Sequence, residues 1–408
     1  MEDRRMKVEY GVYCMVGAVL AGAACAPAAT GGAAAPVGAA SGVFPEVVCS
    51  EGVAVTPSAA AEAARTALIV NRPAEALTGA QAAVAAEADN PQHQFLLGEA
   101  LIATGGYDEA DAALTRTVEL CAAFAPEVNM ARERGWAIAF ERGIEAIEAN
   151  DTATAVASWE MANVIHAGLP DSHYNLGVIY GRRGELDRAA VAYRTAFESL
   201  QGLPADTSAE VNLGRAETRA NALSGLLGVG GEQYQADDFA AAGATFRFLT
   251  EIDPNFRDAW YNYALTLYQT DQWVDLVPVA QRVVEVDPLN ENARTILFTA
   301  ARGAADASAG TPQEREYRDL ALEALGSAEE LPVFVSNISL EGEQLIGTVT
   351  GNAAAAGQQI TLDFTFYGPD GEVGMTSTTV PAPVTGQTAE FQVAYPEGVI
   401  SSYSYSYR

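Results

Sequence analysis

The feature that most constrains this chain is a residue spacing that recurs along most of its length. Its clearest copy runs Leu176-Gly177, Tyr180, Gly184, Leu186, Ala189, Tyr193, Ala196. Related copies lie at Leu97-Gly98, Leu101, Gly105, Tyr107, Ala110 and Leu114, and at Phe239, Ala242, Phe246, Leu249 and Pro254. Another reads Trp260, Tyr263-Ala264, Leu267, Trp273, Leu276, Ala280, Val283, Pro288. On this register units begin at Pro57, Pro91, Trp136, Pro170, Leu223 and Arg257, and three successive pairs of them abut at 34 residues. Asp253-Pro254-Asn255 and Asp287-Pro288-Leu289-Asn290 close consecutive units at that period. Such a period predicts stacked helical hairpins, because one hairpin cannot bury its own apolar face and needs neighbours to complete the core.

The pattern resembles the tetratricopeptide repeat, a helix–turn–helix unit. Small residues at Gly177, Ala189 and Ala196 let two helices approach, Tyr180 and Tyr193 fill the space beside them, and Gly105 and Gly184 supply the left-handed turn after a first helix. The expected fold is mainly α: a TPR-like α-α superhelix (solenoid) over 57–330, followed by a small all-β immunoglobulin-like sandwich over 332–408. Units are expected near 57–90, 91–124, 136–169, 170–203, 223–256 and 257–290, with capping helices in 291–330. Residues 125–135 and 204–222 interrupt the tandem and read as extensions of the following first helix, the second opening on a Thr207-x-x-Glu210 capping box. The first unit has alanine at its core positions (Ala63, Ala64, Ala67, Ala76, Ala80, Ala83) and should pack thinly. Pro278 is tolerable if Asp275 caps the helix that contains it.

In this repeat family the first helices line a groove, and the fifth residue of each points into it. Carried over unit by unit, that position holds Phe95, Phe140, Tyr174, Leu227 and Tyr261, and the twelfth position adds Tyr234 and Tyr268. A ladder of rings offers large apolar contact with few rotors to freeze, which suits a peptide or a glycan. The alternative is that several rings pack against the adjacent helix.

At Pro332 the periodicity changes to two. Ile360, Leu362, Phe364 and Phe366 alternate with Thr361, Asp363, Thr365 and Tyr367, then Gly368-Pro369-Asp370-Gly371 turns the chain. About seven short strands are expected. Tyr403, Tyr405 and Tyr407 share one face of the last strand, either as structure or as a docking surface.

Residues 1–24 read as a lipoprotein signal peptide: Arg4, Arg5 and Lys7, then an apolar run, then Gly22-Ala23-Ala24-Cys25. The end resembles the bacterial lipobox, which implies lipidation at Cys25; Gly22 stands where that motif usually has leucine, and cleavage without lipid is the alternative. Residues 25–56 form an Ala/Gly/Pro tether, of which 26–43 span roughly 20–25 Å as a coil. The resemblance implies a bacterial cell envelope protein, anchored by lipid in the outer membrane and facing the periplasm. Cys49 and Cys121 are then left, either paired as a disulfide or as two separate buried thiols.

The formal charge of −30 repels nucleic acid and anionic headgroups. Lys7 is the only lysine, so no Gly-Lys-Ser/Thr phosphate loop and no Schiff base can form in the remainder. No catalytic motif, metal-ligand spacing or cofactor fingerprint occurs. The reading is a non-enzymatic envelope scaffold that binds a peptide segment or helix of a protein partner in the groove. The alternative is glycan or peptidoglycan binding through the groove rings and the tyrosine-rich tail.

Overall fold

The computed structural model describes residues 47–49, 57–201, 203, 205–352 and 357–408. The signal segment and Cys25 lie outside the described residues. Fourteen helices precede six strands among them: α1 Ala59–Ile69, α2 Pro73–Ala86, α3 Pro91–Thr104, α4 Tyr107–Leu120, α5 Ala125–Glu148, α6 Thr152–Ile165, α7 Pro170–Arg182, α8 Leu186–Leu200, α9 Ala209–Gln235, α10 Phe239–Ile252, α11 Arg257–Gln269, α12 Trp273–Val286, α13 Glu291–Ala307 and α14 Pro312–Glu329. Long α5 and α9 absorb the two interruptions of the tandem.

The turn after each odd-numbered helix carries a residue with positive φ: Asn71, Gly105, Asn150, Gly184, Asp237, Asp271 and Gly310. Asn71 and Gly105, Asn150 and Gly184, and Asp237 and Asp271 are each 34 positions apart. Asparagine and aspartate tolerate the left-handed region better than other residues with a side chain, so they serve where glycine is absent. Prolines open α2, α3 and α7 in the first turn, where no amide hydrogen is needed.

Two expectations about helix ends are corrected. α9 is capped by Ser208, whose Oγ accepts from the Val211 amide at 3.3 Å, one residue beyond the expected Thr207 box. α12 starts at Trp273 and its N-cap is Gln272, not Asp275, so Pro278 lies inside the helix and leaves the Val274 carbonyl without its intrahelical donor.

The chain forms two compact units. One holds α1–α7 with residues 195–214. Its first hairpin is packed almost wholly through alanine: Ala61, Ala64, Ala76, Ala80 and Ala83 are fully buried. The next core is larger, with Phe95, Leu101, Tyr107, Leu114 and Phe124 around Cys121. Cys49 and Cys121 form a disulfide with Cα atoms 5.7 Å apart, so Val47 and Cys49, expected within the free tether of 25–56, are instead packed against this core. Trp159 of α6 is fully buried and donates Nε1–H to the Phe140 carbonyl at 3.1 Å. A Cβ on Gly143 of α5 would stand 2.2 Å from that nitrogen, so the indole requires glycine there.

The other unit holds 184–194 and 215–408. Its helical core gathers Tyr261, Leu267, Leu276, Val283, Ile296, Leu297 and Ala304 from α11, α12 and α13. Six strands follow: β1 Val333–Glu341, β2 Gln344–Gly351, β3 Gln359–Gly368, β4 Gly371–Pro381, β5 Thr388–Ala394 and β6 Ser402–Tyr407. They make two antiparallel sheets, β1-β2-β5 and β4-β3-β6, over one apolar layer of Val335, Leu345, Val349, Leu362, Phe364, Phe366 and Phe391. Among the described residues there are six strands where about seven were expected.

Candidate functional site

The register predicts which side of a helix each groove residue occupies; neighbouring elements decide whether it stays open. In the unit of α1–α7 the first helices are α3, α5 and α7. Phe95 is a correction: it is 5% exposed and packs against Phe124, with ring centroids 5.7 Å apart. The bend around Cys121 folds Phe124 over it, so the ring belongs to the core. Phe140 is half-buried and stacks on Trp136 at 4.7 Å, and Tyr174 is half-buried. Polar links join the same helices. Arg134 of α5 forms an ion pair with Glu99 of α3, and Trp136 Nε1–H donates to Ser172 Oγ of α7 at 3.1 Å. Burial raises the Glu99 carboxyl above the ordinary carboxylate range, opposed by the Arg134 charge.

In the other unit α9, α11 and α13 lie side by side. Gln269 Nε2–H of α11 donates to the Tyr234 hydroxyl of α9 at 3.0 Å. Each turn is braced by an edge-on ring pair, Tyr234 with Phe239 at 5.2 Å and Tyr268 with Trp273 at 5.4 Å. Leu227 is half-buried on α9. Between α11 and α13 the surface dips into a shallow cleft of about 10 Å³ lined by Ala264, Leu265, Tyr268, Leu276, Ile296 and Thr299. Nearly all of that lining is apolar, and Tyr268 stands at its rim, 36% exposed. Where the N-termini of α11 and α13 approach, a second cleft is lined by Arg257, Asp258, Tyr261, Asn290 and Asn292. One face thus has an apolar end and a polar end.

Tyr261 is the second correction to the ladder. It is buried and donates its hydroxyl hydrogen to Asp287 Oδ2 at 3.0 Å. Asp287 has no exposure and is a hub, accepting also from Arg257 Nε at 2.8 Å, Asn290 Nδ2 at 2.8 Å and Tyr405 at 2.6 Å. Arg257 reaches further, donating Nη1–H to the Tyr403 hydroxyl at 2.7 Å. Ser402 donates to Asp253, the residue one period before Asp287. The last strand is therefore seated on equivalent loop positions of two consecutive repeats.

This docking decides the question of the tyrosine tail. Tyr403 and Tyr405 are buried structural groups, and only Tyr407, 39% exposed, presents a ring to water. Burial raises the phenol pKa values of Tyr261 and Tyr405, and the Asp287 carboxylate adds to the effect; Tyr403 is raised by burial against the pull of Arg257. Asp287 is visible in the sequence only as a repeat-closing residue. Nothing local marks it as a hub, because its partners come from both sides of the chain.

No protein-family model matches the sequence, and no curated protein does. Among solved structures, the chain is similar to YrrB, described as a TPR protein with an unusual peptide-binding site, at 15% identity, over 47% of this chain and 82% of that one, with a TM-score of 0.28. The C-terminal part of a TPR repeat-containing protein from Cytophaga hutchinsonii matches at 15% identity over 66% and 95%, with a TM-score of 0.26. PilF of Pseudomonas aeruginosa matches at 15% identity over 57% and 88%, with a TM-score of 0.25. The fold assignment rests on the chain's own hairpins and their period: this is a TPR-like helical repeat followed by a small antiparallel β region.

Proposed function

We propose that the chain is a protein-binding scaffold of the bacterial cell envelope, held to the outer membrane through lipid on Cys25 and facing the periplasm. The observation that carries the binding part is the apolar cleft between α11 and α13, with Tyr268 at its rim and the polar Arg257–Asn292 cleft on the same face. A peptide segment or helix suits such a face, laying apolar side chains across the shallow apolar surface beside Tyr268 and its polar groups toward the other end. The envelope part is supported by the basic, apolar and small-residue order of residues 1–25 and by the Cys49–Cys121 disulfide, which an oxidising compartment would preserve.

The test is affinity capture from solubilised envelopes with the full chain and with a Leu265→Asp/Tyr268→Ala variant. A discrete protein held by the wild type and lost by the folded variant supports the reading. Equal recovery by both removes the cleft as the binding site.

A further inference from the structure

β4 lies at the outer edge of its sheet and is hydrogen-bonded to β3 alone; β5 of the other sheet approaches it, and Pro396 and Gly398 pack on its start at Val373 and Gly374. Which of its amides face outward follows from β3. Thr361 and Arg408 exchange both backbone hydrogen bonds, each 3.0 Å. Thr361 therefore turns its amide and carbonyl toward the β6 side, and by alternation so do Asp363 and Thr365. Ile360, Leu362 and Phe364 bond the other way, to Val380, Thr378 and Thr376 of β4. Met375, Ser377 and Thr379 are left with N–H and C=O groups that point away from the sheet, and no described backbone group bonds to them.

Soluble proteins usually blunt such an edge with lysine, proline, a bulge or a covering segment. From Gly374 to Val380 β4 has no lysine and no proline, and the irregularity of the β3–β4 ladder falls earlier, at Phe366 and Tyr367. The other edges are managed. Val335 of β1 donates its amide to the Leu289 carbonyl at 2.9 Å, β6 is seated on Asp253 and Asp287, and β5 exposes Glu390.

We propose that the β4 edge accepts an extended, basic segment of another protein, which adds as a strand beside Met375, Ser377 and Thr379. Charge selects the occupant. Residues 332–408 hold Glu341, Glu343, Asp363, Asp370, Glu372, Glu390 and Glu397 against Arg408; Asp370 is paired with Arg219 and Asp363 with Arg408, and Glu372 flanks the open stretch. A second copy of the chain would bring the same charge to the edge and, at −30 each, would be repelled. The surface is separate from the α9–α11–α13 face and does not depend on it.

The probe is a short labelled peptide of alternating threonine and valine with lysine at both ends, beside the same peptide ended by glutamate. Binding to the full chain is followed by fluorescence anisotropy. The lysine peptide is expected to bind, more weakly as salt rises, and the glutamate peptide not to bind. Ser377→Pro removes an outward amide that takes no part in the β3 ladder, together with the Ser377 Oγ–Asp363 hydrogen bond, so a small drop in melting temperature is expected while affinity falls roughly tenfold. Met375→Lys, which installs a protective charge, should weaken binding likewise and decides the matter if Ser377→Pro does not fold. Failure of the lysine peptide to bind, equal binding of both peptides, or indifference to the folded variants would overturn the proposal. So would a sedimentation dimer that either variant separates, because the occupant would then be a second copy.

Discussion

Tyr405 donates its phenolic hydrogen to Asp287 Oδ1 at 2.6 Å, and both side chains are buried. The bond fastens the last strand to the loop that closes a helical repeat, 118 residues earlier in the chain. Tyr405→Phe keeps the ring and deletes the hydroxyl, leaving a buried carboxylate with three of its four donors and the Leu289 amide without its acceptor. A loss of about 1.5–3 kcal/mol is expected in urea unfolding of the full chain. An unchanged midpoint would mean that the hub does not bear on stability.

The same cluster predicts alkaline sensitivity. Tyr261, Tyr403 and Tyr405 titrate above their ordinary value in the folded protein, mainly through burial. In the unfolded chain they ionise near pH 10. The unfolded state then holds fewer protons than the native state, so stability is complete below about pH 10 and falls as pH rises beyond it. Tyrosinate absorbance should show these phenols ionising together with unfolding, not before it.

Much of this architecture is legible in the sequence, and the misses have physical causes. The helix pairs follow from the period and from Gly105 and Gly184. Asn71, Asn150, Asp237 and Asp271 do the same work in other turns, but a search for glycine passes over them. The groove register identifies the side of the helix on which Tyr268 lies and fails at Phe95 and Tyr261. Those two are covered by Phe124, the last residue of the same unit, and by Asp287 with the strand that docks on it. A register carries no information about such cover. Leu265 lies between the ladder positions of its helix and Thr299 lies in the capping helices, so the register points to neither cleft residue.

Glycines on one helix should respond with opposite signs. A Cβ on Gly230 of α9 would lie 2.6 Å from the buried Phe246 ring, whereas one on Gly228 meets nothing within 4 Å. Gly228→Ala should stabilise by about 0.5–1 kcal/mol through helix propensity. Gly230→Ala should destabilise by about 1–3 kcal/mol through overpacking. Thermal melts of the two variants check both signs.

The disulfide closes a long loop, since Cys49 and Cys121 are separated by 72 positions. Cys121→Ser is expected to cost about 2–4 kcal/mol, on the model in which the crosslink restricts the unfolded chain. Because α1 and α2 pack through alanine, limited proteolysis of the variant should cut there first. Wild type treated with reductant should match the variant.

Removal of Arg134 should matter more at neutral than at acid pH. Its partner Glu99 is 6% exposed and its carboxyl is raised by burial. Arg134→Leu leaves the buried Glu99 carboxyl without its partner, so that it must stay ionised unpaired or take up a proton, at an expected cost of about 1–3 kcal/mol, reduced from that of a fully buried pair because Arg134 is partly open to water. Protonation of Glu99 removes that charge, so the penalty should shrink as pH falls toward 4, as urea titrations at the two pH values would show.

The central claim, that the face between α11 and α13 holds a protein partner, is tested most directly by site-specific photo-crosslinking in the native cell. A photoreactive residue at position 299, inside the apolar cleft, is compared with one at 322, which is 67% exposed on α14. A discrete protein adduct from 299 and none from 322 is the predicted result. No adduct from 299, or the same adducts from both positions, would contradict it.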